Sequence, residues 1–380
     1  MLSRRDLLDL RLRSLLVTGG PVGGPAQVAG RFLAMQAQDF PASLWAVGSR
    51  SGVSLAEVER AYCERRIVRS WPLRGTIHVT PAEDVGWLRR LTAAKVLGAA
   101  AERRRARLGL TVSDLERVRE SVVELMSGGV ALSRDALLER VAAGGVRLAD
   151  QWRYHLIWFL AQTGTLLFGP ITDGQPALVL ADEWVERPRD LGREEGLAEL
   201  AARYVASHGP ATADDLVWWS GLGKREVAQA LALAGERVER LEADDGTTYW
   251  ISPTLPAGRA QPSLALLPAF DEHLLGYRDR TLSLDPAHAP AVCPGGNGIF
   301  RPTVVADGVC LGTWSAPARG ALSKLPSDRP VPLTVTWFDQ ESARRADPAL
   351  LAAAADHYAR YLGRERATVA VAPGGLKGQI

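Results

Sequence analysis

The residues in this 380-residue chain that stand out for chemistry are Gln36 and Gln38, followed by Asp39, in FLAMQAQDFPASLW. Each glutamine amide carries an acceptor oxygen and a donor nitrogen, so two amides aimed at one point could hold a small polar molecule such as water. The run from Pro25 to Met35 reads as a helix, with apolar residues three or four apart. Residues two apart on a helix diverge by about 200° at ~3.6 residues per turn, so both amides reach one point only where the helix ends or loosens. Pro41 disfavours a helical Phe40, which places such an ending here. The competing reading is a plain helix terminus whose amides bind backbone groups. In a second segment, SWPLRGTIHVTPAEDVGWL, Arg74 and His78 sit on an expected hairpin, either touching phosphate or a groove of nucleic acid or packing and bonding within the hairpin.

Other chemistries lack their residues. Cys63, Cys293 and Cys310 have no CxxC spacing and read as small buried side chains. The histidines form neither HxE nor HExxH, so no metal is expected. PGGNG and GPVGGP lack the G-x-x-x-x-G-K-[ST] form and read as turns, no G-x-S-x-G elbow is present, and no cofactor is expected.

The elements that must position these residues recur as helices followed by a hairpin, the pattern of a winged helix. Residues 1–80 hold helices near Arg4–Val17, Pro25–Met35, Ala42–Ser49 and Leu55–Arg65, then paired strands around Pro72–Gly75. Residues 81–185 repeat this with helices near Ala82–Ala100, Val112–Met126, Arg134–Ala143 and Trp152–Gln162, then GTLLFG and PALVLA. Glu186–Gly196 is charged without an apolar face and reads as a linker. Residues 193–255 give a third copy, with Thr212 as a helix cap and Asp245–Gly246 as the turn of its hairpin. Residues 262–380 shift to strands and Pro/Gly turns with one helix, Pro348–Leu362. The expected fold class is α+β: tandem winged-helix (helix-turn-helix) modules followed by a β-rich C-terminal domain. Trp218 and Trp219 read as core rather than a base-stacking platform, and Asp271, Tyr277 and Arg278 as a buried polar network joining the β-rich domain to the third unit rather than support for a DNA-facing cleft.

The net charge of +2 hides an asymmetry: residues 1–110 hold 18 Lys and Arg against 9 Asp and Glu, the remainder 27 against 34. The densest basic run, Arg89 to Arg107, contains Arg103, Arg104 and Arg105, which read either as a solvated helix face or as a phosphate-contacting surface. No apolar run approaches the ~20 residues that span a bilayer, and MLSRRDLLDLRLRSLL carries charges where a secretory signal needs an apolar core, so a cytoplasmic protein is expected.

The blocks MQAQD, SWPLRGTIHVTPAEDVGWL, LLPAFDEHLLGYRDR and NGIFRPTVVADGVCLGTW, in this order, resemble the AlkZ and YcaQ family of winged-helix DNA glycosylases along nearly the whole chain. The resemblance implies that Gln36 and Gln38 are catalytic, in the Gln-x-Gln form of AlkZ-like members, with Ala37 smaller than the usual middle residue. It also implies a monofunctional, metal-independent hydrolase acting on N7-alkylated purines in double-stranded DNA, with unhooking of interstrand crosslinks as a further activity open to it. A monomer is expected, and no lysine in the site suggests a Schiff-base lyase step. The contrasting reading is a non-catalytic winged-helix DNA-binding or regulatory protein, which has no need of the glutamine pair.

Overall fold

A capping box formed by Ser3 and Asp6 starts α1 (Arg4–Ser14), which opens a computed structural model describing residues 3–255 and 262–372. Helix α2 (Pro25–Phe32) ends three residues before the predicted limit, because Leu33 adopts a left-handed φ of 63° and the chain turns into a two-residue strand, β1 (Met35–Gln36). Asp39 then caps α3 (Phe40–Ser51) through the Ala42 N–H, with Pro41 in the first turn, where its missing N–H costs nothing. After α4 (Leu55–Cys63) come β2 (Ile67–Leu73) and β3 (Thr76–Pro81), joined by Arg74 and Gly75, both at positive φ, the geometry of a two-residue hairpin.

The helix expected over Ala82–Ala100 is broken at Gly98, whose backbone is extended, into α5 (Val85–Val96) and α6 (Ala99–Arg107). Helices α7 (Val112–Met126) and α8 (Arg134–Ala143) have the limits their periodicity predicts. Leu115, Val118, Val122 and Met126 bury one stripe of α7, each contributing roughly 1.5–3 kcal/mol. Helix α9 (Arg153–Gln162), strands β4 (Leu166–Thr172) and β5 (Gln175–Leu180) and the short α10 (Ala181–Trp184) complete this unit. The two hairpins share one sheet, in the order β1-β3-β2-β4-β5, with Arg69 of β2 opposite Phe168 of β4.

Helix α11 (Arg193–His208) absorbs the end of the expected linker: Gly192 and Glu195 cap it, so residues 193–196 form its first turn. It packs against α2 and α5 as well as against its own partner α13 (Lys224–Ala234), which follows α12 (Ala213–Ser220). Strands β6 (Glu239–Glu242) and β7 (Thr248–Ile251) form the expected hairpin.

The last part is a sheet ordered β12-β11-β10-β9-β8. Its chain order is β8 (Leu264–Leu267), the one-turn α14 (Glu272–Leu275), α15 (Ala289–Val292), β9 (Thr303–Ala306), β10 (Val309–Ser315), α16 (Arg319–Leu322), β11 (Val331–Trp337), α17 (Gln340–Arg345), α18 (Pro348–Tyr361) and β12 (Ala367–Val371). Residues 373–380, counted in the expected C-terminal domain, lie outside the described residues. The sheet docks on the first helices: the Trp45 indole of α3 donates to the Leu266 carbonyl at 2.8 Å, and Trp45 meets Tyr358 and Tyr361 of α18 edge-on or tilted. Among the described residues no helix is long and apolar enough to cross a membrane.

Candidate active site

Strand β1 runs antiparallel to β3, with Gln36 opposite His78, and the Ala37 N–H continues the ladder to the Ile77 carbonyl. In extended backbone, residues two apart share a face. Gln36 Nε2 accordingly donates to Gln38 Oε1 at 3.2 Å. The convergence expected of a helix end thus occurs at the end of a strand, with Gln36 in β1 and Gln38 in the bend that follows. Arg69, itself buried, donates to the carbonyls of Ala37 (2.9 Å) and Gln38 (3.5 Å), and with the Asp39 cap this fixes both sides of the pair. Gln36 is buried and its Oε1 has no partner among the described residues, whereas Gln38 is exposed.

The backbone of Gln36 is held from far along the chain. Its N–H donates to Glu272 Oε1 at 2.7 Å, while Glu272 Oε2 accepts from the Trp219 indole (3.1 Å) and lies 3.2 Å from His208 Nε2. Burial alone would raise the Glu272 pKa, but the His208 contact and the Gln36 N–H outweigh it and hold the carboxyl below its ordinary range. A buried negative charge therefore stands directly behind Gln36.

Gln36 faces a pocket of about 930 Å³. Its walls include Arg74, Trp218, Arg280, Cys293 and Phe300. Arg280 lies between the rings of Trp218 (5.5 Å) and Phe300 (5.0 Å) and donates to the Leu274 carbonyl. The pocket is concave, largely apolar-walled and polar at its Gln36 end, the usual character of a small-molecule or base-binding site.

The structure sorts the other expected residues. Arg74 reaches the same pocket, whereas His78 is fully buried. Its Nδ1 bonds the Thr76 carbonyl, and burial together with Arg74 presses its pKa down to about 4, so the ring is neutral and structural. Arg103, Arg104 and Arg105 lie on α6, which buries none of its residues; Arg105 donates to the Leu110 carbonyl just past its own helix, and Arg104 lies over the Tyr154 ring. Trp219 is core as expected, but Trp218 is 42% exposed, because neighbours on a helix point about 100° apart. Tyr277 and Arg278 do join the third unit, through the His208 carbonyl and through Asp214 and Asp215. Asp271 instead makes a buried bidentate pair with Arg50 of α3, so it ties β8–α14 to the first unit. Sequence reasoning missed Glu272, His208 and Arg69; the one available signal was the Asp271–Glu272–His273 run inside the otherwise apolar LLPAFDEHLLGY.

A model of the AlkZ-like DNA glycosylases matches residues 29–361. The interstrand DNA cross-link repair glycosylase of Streptomyces sahachiroi is 26% identical over 308 residues, covering 76% of this chain and 81% of that protein. The solved structure of the Streptomyces sahachiroi DNA glycosylase AlkZ superposes with a TM-score of 0.77 over 98% of this chain and all of that one, at 22% identity, and so shares this mixed helix-and-strand fold. By class, the protein is a DNA glycosylase. Within that class, the chain belongs to the AlkZ-like family.

Proposed function

We propose that the chain is a monofunctional glycosylase that hydrolyses the N-glycosidic bond of N7-alkylated purines in double-stranded DNA, Gln36 and Gln38 jointly holding the attacking water. The observation that carries this is the contact between the two amides at the edge of a pocket large enough to receive an extruded base with its alkyl substituent. Once their mutual bond is made, Gln38 keeps its NH2 and Gln36 keeps an unpartnered but solvent-shielded oxygen, so turning the Gln36 amide toward the pocket would give one water an acceptor and a donor.

A purine alkylated at N7 is cationic and leaves without a general acid, so the protein has only to place the water and favour positive charge developing on the sugar. The Glu272 carboxylate behind Gln36 supplies a fixed negative field for that charge. An amide is too weak a base for neutral lesions, which limits the substrates to cationic bases. No lysine is among the described residues lining the pocket, which supports hydrolysis without a Schiff base. Arg74 and the α6 arginines Arg103, Arg104 and Arg105 carry the positive field toward the phosphates. We read the helix–hairpin units of residues 1–80, 81–185 and 193–255 as winged helices and 262–380 as a β-rich domain, in a cytoplasmic monomer. The relative named for cross-link repair extends the proposed substrates to interstrand crosslinks.

The test is single-turnover release of N7-methylguanine from methylated duplex. Replacing Gln36 or Gln38 by Ala is expected to slow excision on the order of 10²-fold, non-additively, with affinity and thermal stability nearly unchanged. A double variant that excises at the wild-type rate would overturn the assignment.

A further inference from the structure

Arg74 is a wall shared by two pockets. One is the Gln36 pocket; the other, about 640 Å³, lies between the α5–α6 corner, α9 and the turn from α12 to α13. Lys95, Arg104 and Arg193 join Arg74 around this second pocket, and Glu226, paired with Arg193, is the single acid among its described lining residues. The remaining cations meet neutral partners. Arg74 donates to the Trp218 carbonyl at 3.2 Å, Lys95 to the Gly221 carbonyl, and Arg104 lies 5.5 Å from the centre of the Tyr154 ring. Three positive charges therefore converge with none of them paired to a carboxylate among the described residues, an arrangement that favours an anion.

The same pocket offers flat aromatic surface. Tyr154 is 45% exposed, and Trp158 is half-buried and stacked on His155 at 5.2 Å. Two glycines shape the space. At Gly75 (φ 69°) a Cβ would press on Val96 at 3.1 Å, and at Gly221 (φ 73°) a Cβ would lie 2.8 Å from Arg74 Cγ. Only a residue without a side chain lets Arg74 cross from one pocket to the other at Gly221. Clustered cations beside an accessible ring are what a nucleotide needs, the phosphate taking the charge and the base taking the stacking surface.

We propose that this second pocket receives one nucleotide of the bound DNA next to the lesion, its phosphate among Arg74, Lys95 and Arg104 and its base against Tyr154. This rests on the reading that puts the damaged nucleotide at Gln36, since Arg74 is then the partition between neighbouring nucleotides. Holding a flanking nucleotide out of the stack fixes the position of the lesion beside the glutamines and excludes slippage along the duplex.

The probe is a duplex oligodeoxynucleotide carrying a tetrahydrofuran abasic analogue, with 5-iododeoxyuridine placed singly at each flanking position and irradiated in the complex. One position is expected to crosslink to Tyr154, strongly in the wild type and in Tyr154→Phe and not in Tyr154→Leu. Lys95→Gln and Arg104→Gln are each expected to weaken binding several-fold and to flatten its salt dependence by about 0.9 in the log–log slope. Crosslinks that never map to Tyr154 or Trp158 while the duplex stays bound overturn the base contact; unchanged affinity and slope in both cation variants overturn the phosphate contact. The Gln36→Ala, Gln38→Ala double variant separates the two readings. Crosslinking that persists while excision proves independent of the glutamines sinks the catalytic assignment alone, and excision that needs them without any crosslink at Tyr154 or Trp158 sinks this pocket alone.

Discussion

The Gln36 backbone N–H and the Glu272 carboxylate, 236 positions apart in the chain, meet at 2.7 Å inside the protein. That bond makes the position of a two-residue strand depend on a one-turn helix of the C-terminal part, and Glu272 shares the same carboxylate with Trp219 and His208. Strand β1 is only two residues long, so beside its pairing with β3 and the Asp39 cap the glutamine pair depends on this carboxylate and on Arg69.

Glu272→Gln should therefore impair both stability and turnover. The new NH2 would face either the Gln36 N–H or the Trp219 indole N–H, both donors, leaving one of them unpaired in the interior at a cost of about 1–3 kcal/mol. Excision is expected to slow by roughly 10- to 100-fold through the rate of the chemical step, with binding of undamaged duplex little changed. Single-turnover rates at saturating enzyme, set beside a thermal melt, measure both; a variant that melts early but excises normally would confine Glu272 to folding.

Gln38→Asp should keep activity. Gln38 is exposed and its Oε1 already accepts from Gln36 Nε2, a bond a carboxylate oxygen can also accept, and the second oxygen adds an acceptor able to take a proton from water. Gln36→Asp should not, because its buried side chain would stand a second carboxylate near Glu272. Release of N7-methylguanine by the two variants checks the contrast, and equal loss in both would remove the distinction between the glutamines. Uracil in DNA is expected to remain uncut by either.

Arg103 is the cleanest probe of the basic helix, since Arg105 is engaged with the Leu110 carbonyl and Arg104 with Tyr154. Arg103→Glu should weaken binding to any duplex, damaged or not, and lower the salt slope by about 0.9 if it meets one phosphate. Fluorescence anisotropy across a salt series reads this. A wild-type slope would place Arg103 outside the interface.

Acid should destabilise the protein well before carboxylates in general protonate. His78 and His273 are both buried, and burial, the largest cause in each, lowers their pKa values from 6.5 to about 4. Between these values the unfolded chain takes up protons that the native rings refuse, so stability is fully present above about pH 6.5 and declines as pH falls toward 4. Glu272, held below its ordinary range, acts in the same direction at the lower end, its contribution being lost as pH drops through its folded pKa. The melting temperature should fall steadily from pH 7 to pH 4.5, less steeply in His78→Gln, and a flat profile in that interval would contradict the burial of these rings as neutral groups.

Much of the fold was legible because it is set locally. Helices α7 and α8 announce themselves by apolar spacing, and the third unit by its Thr212 cap and the Asp245–Gly246 hairpin turn. The glutamine pair was legible by residue type, but its backbone was not. FLAM continues a helical pattern, and only the pairing of Met35 with Val79 and the positive φ of Leu33 turn it into a strand. The reach of Glu272 to Gln36 leaves no mark in spacing at all, and the different fates of Trp218 and Trp219 depend on which face of α12 meets α11 and α14, which composition does not encode.

The clamp of Glu272 on Gln36 also orders events during synthesis. The glutamines leave the ribosome early, yet the carboxylate that seats them arrives only after more than two-thirds of the chain has been translated. A chain that stops short of residue 272 has both glutamines but not the carboxylate that accepts from the Gln36 N–H, so the seating of β1 is a late event of synthesis.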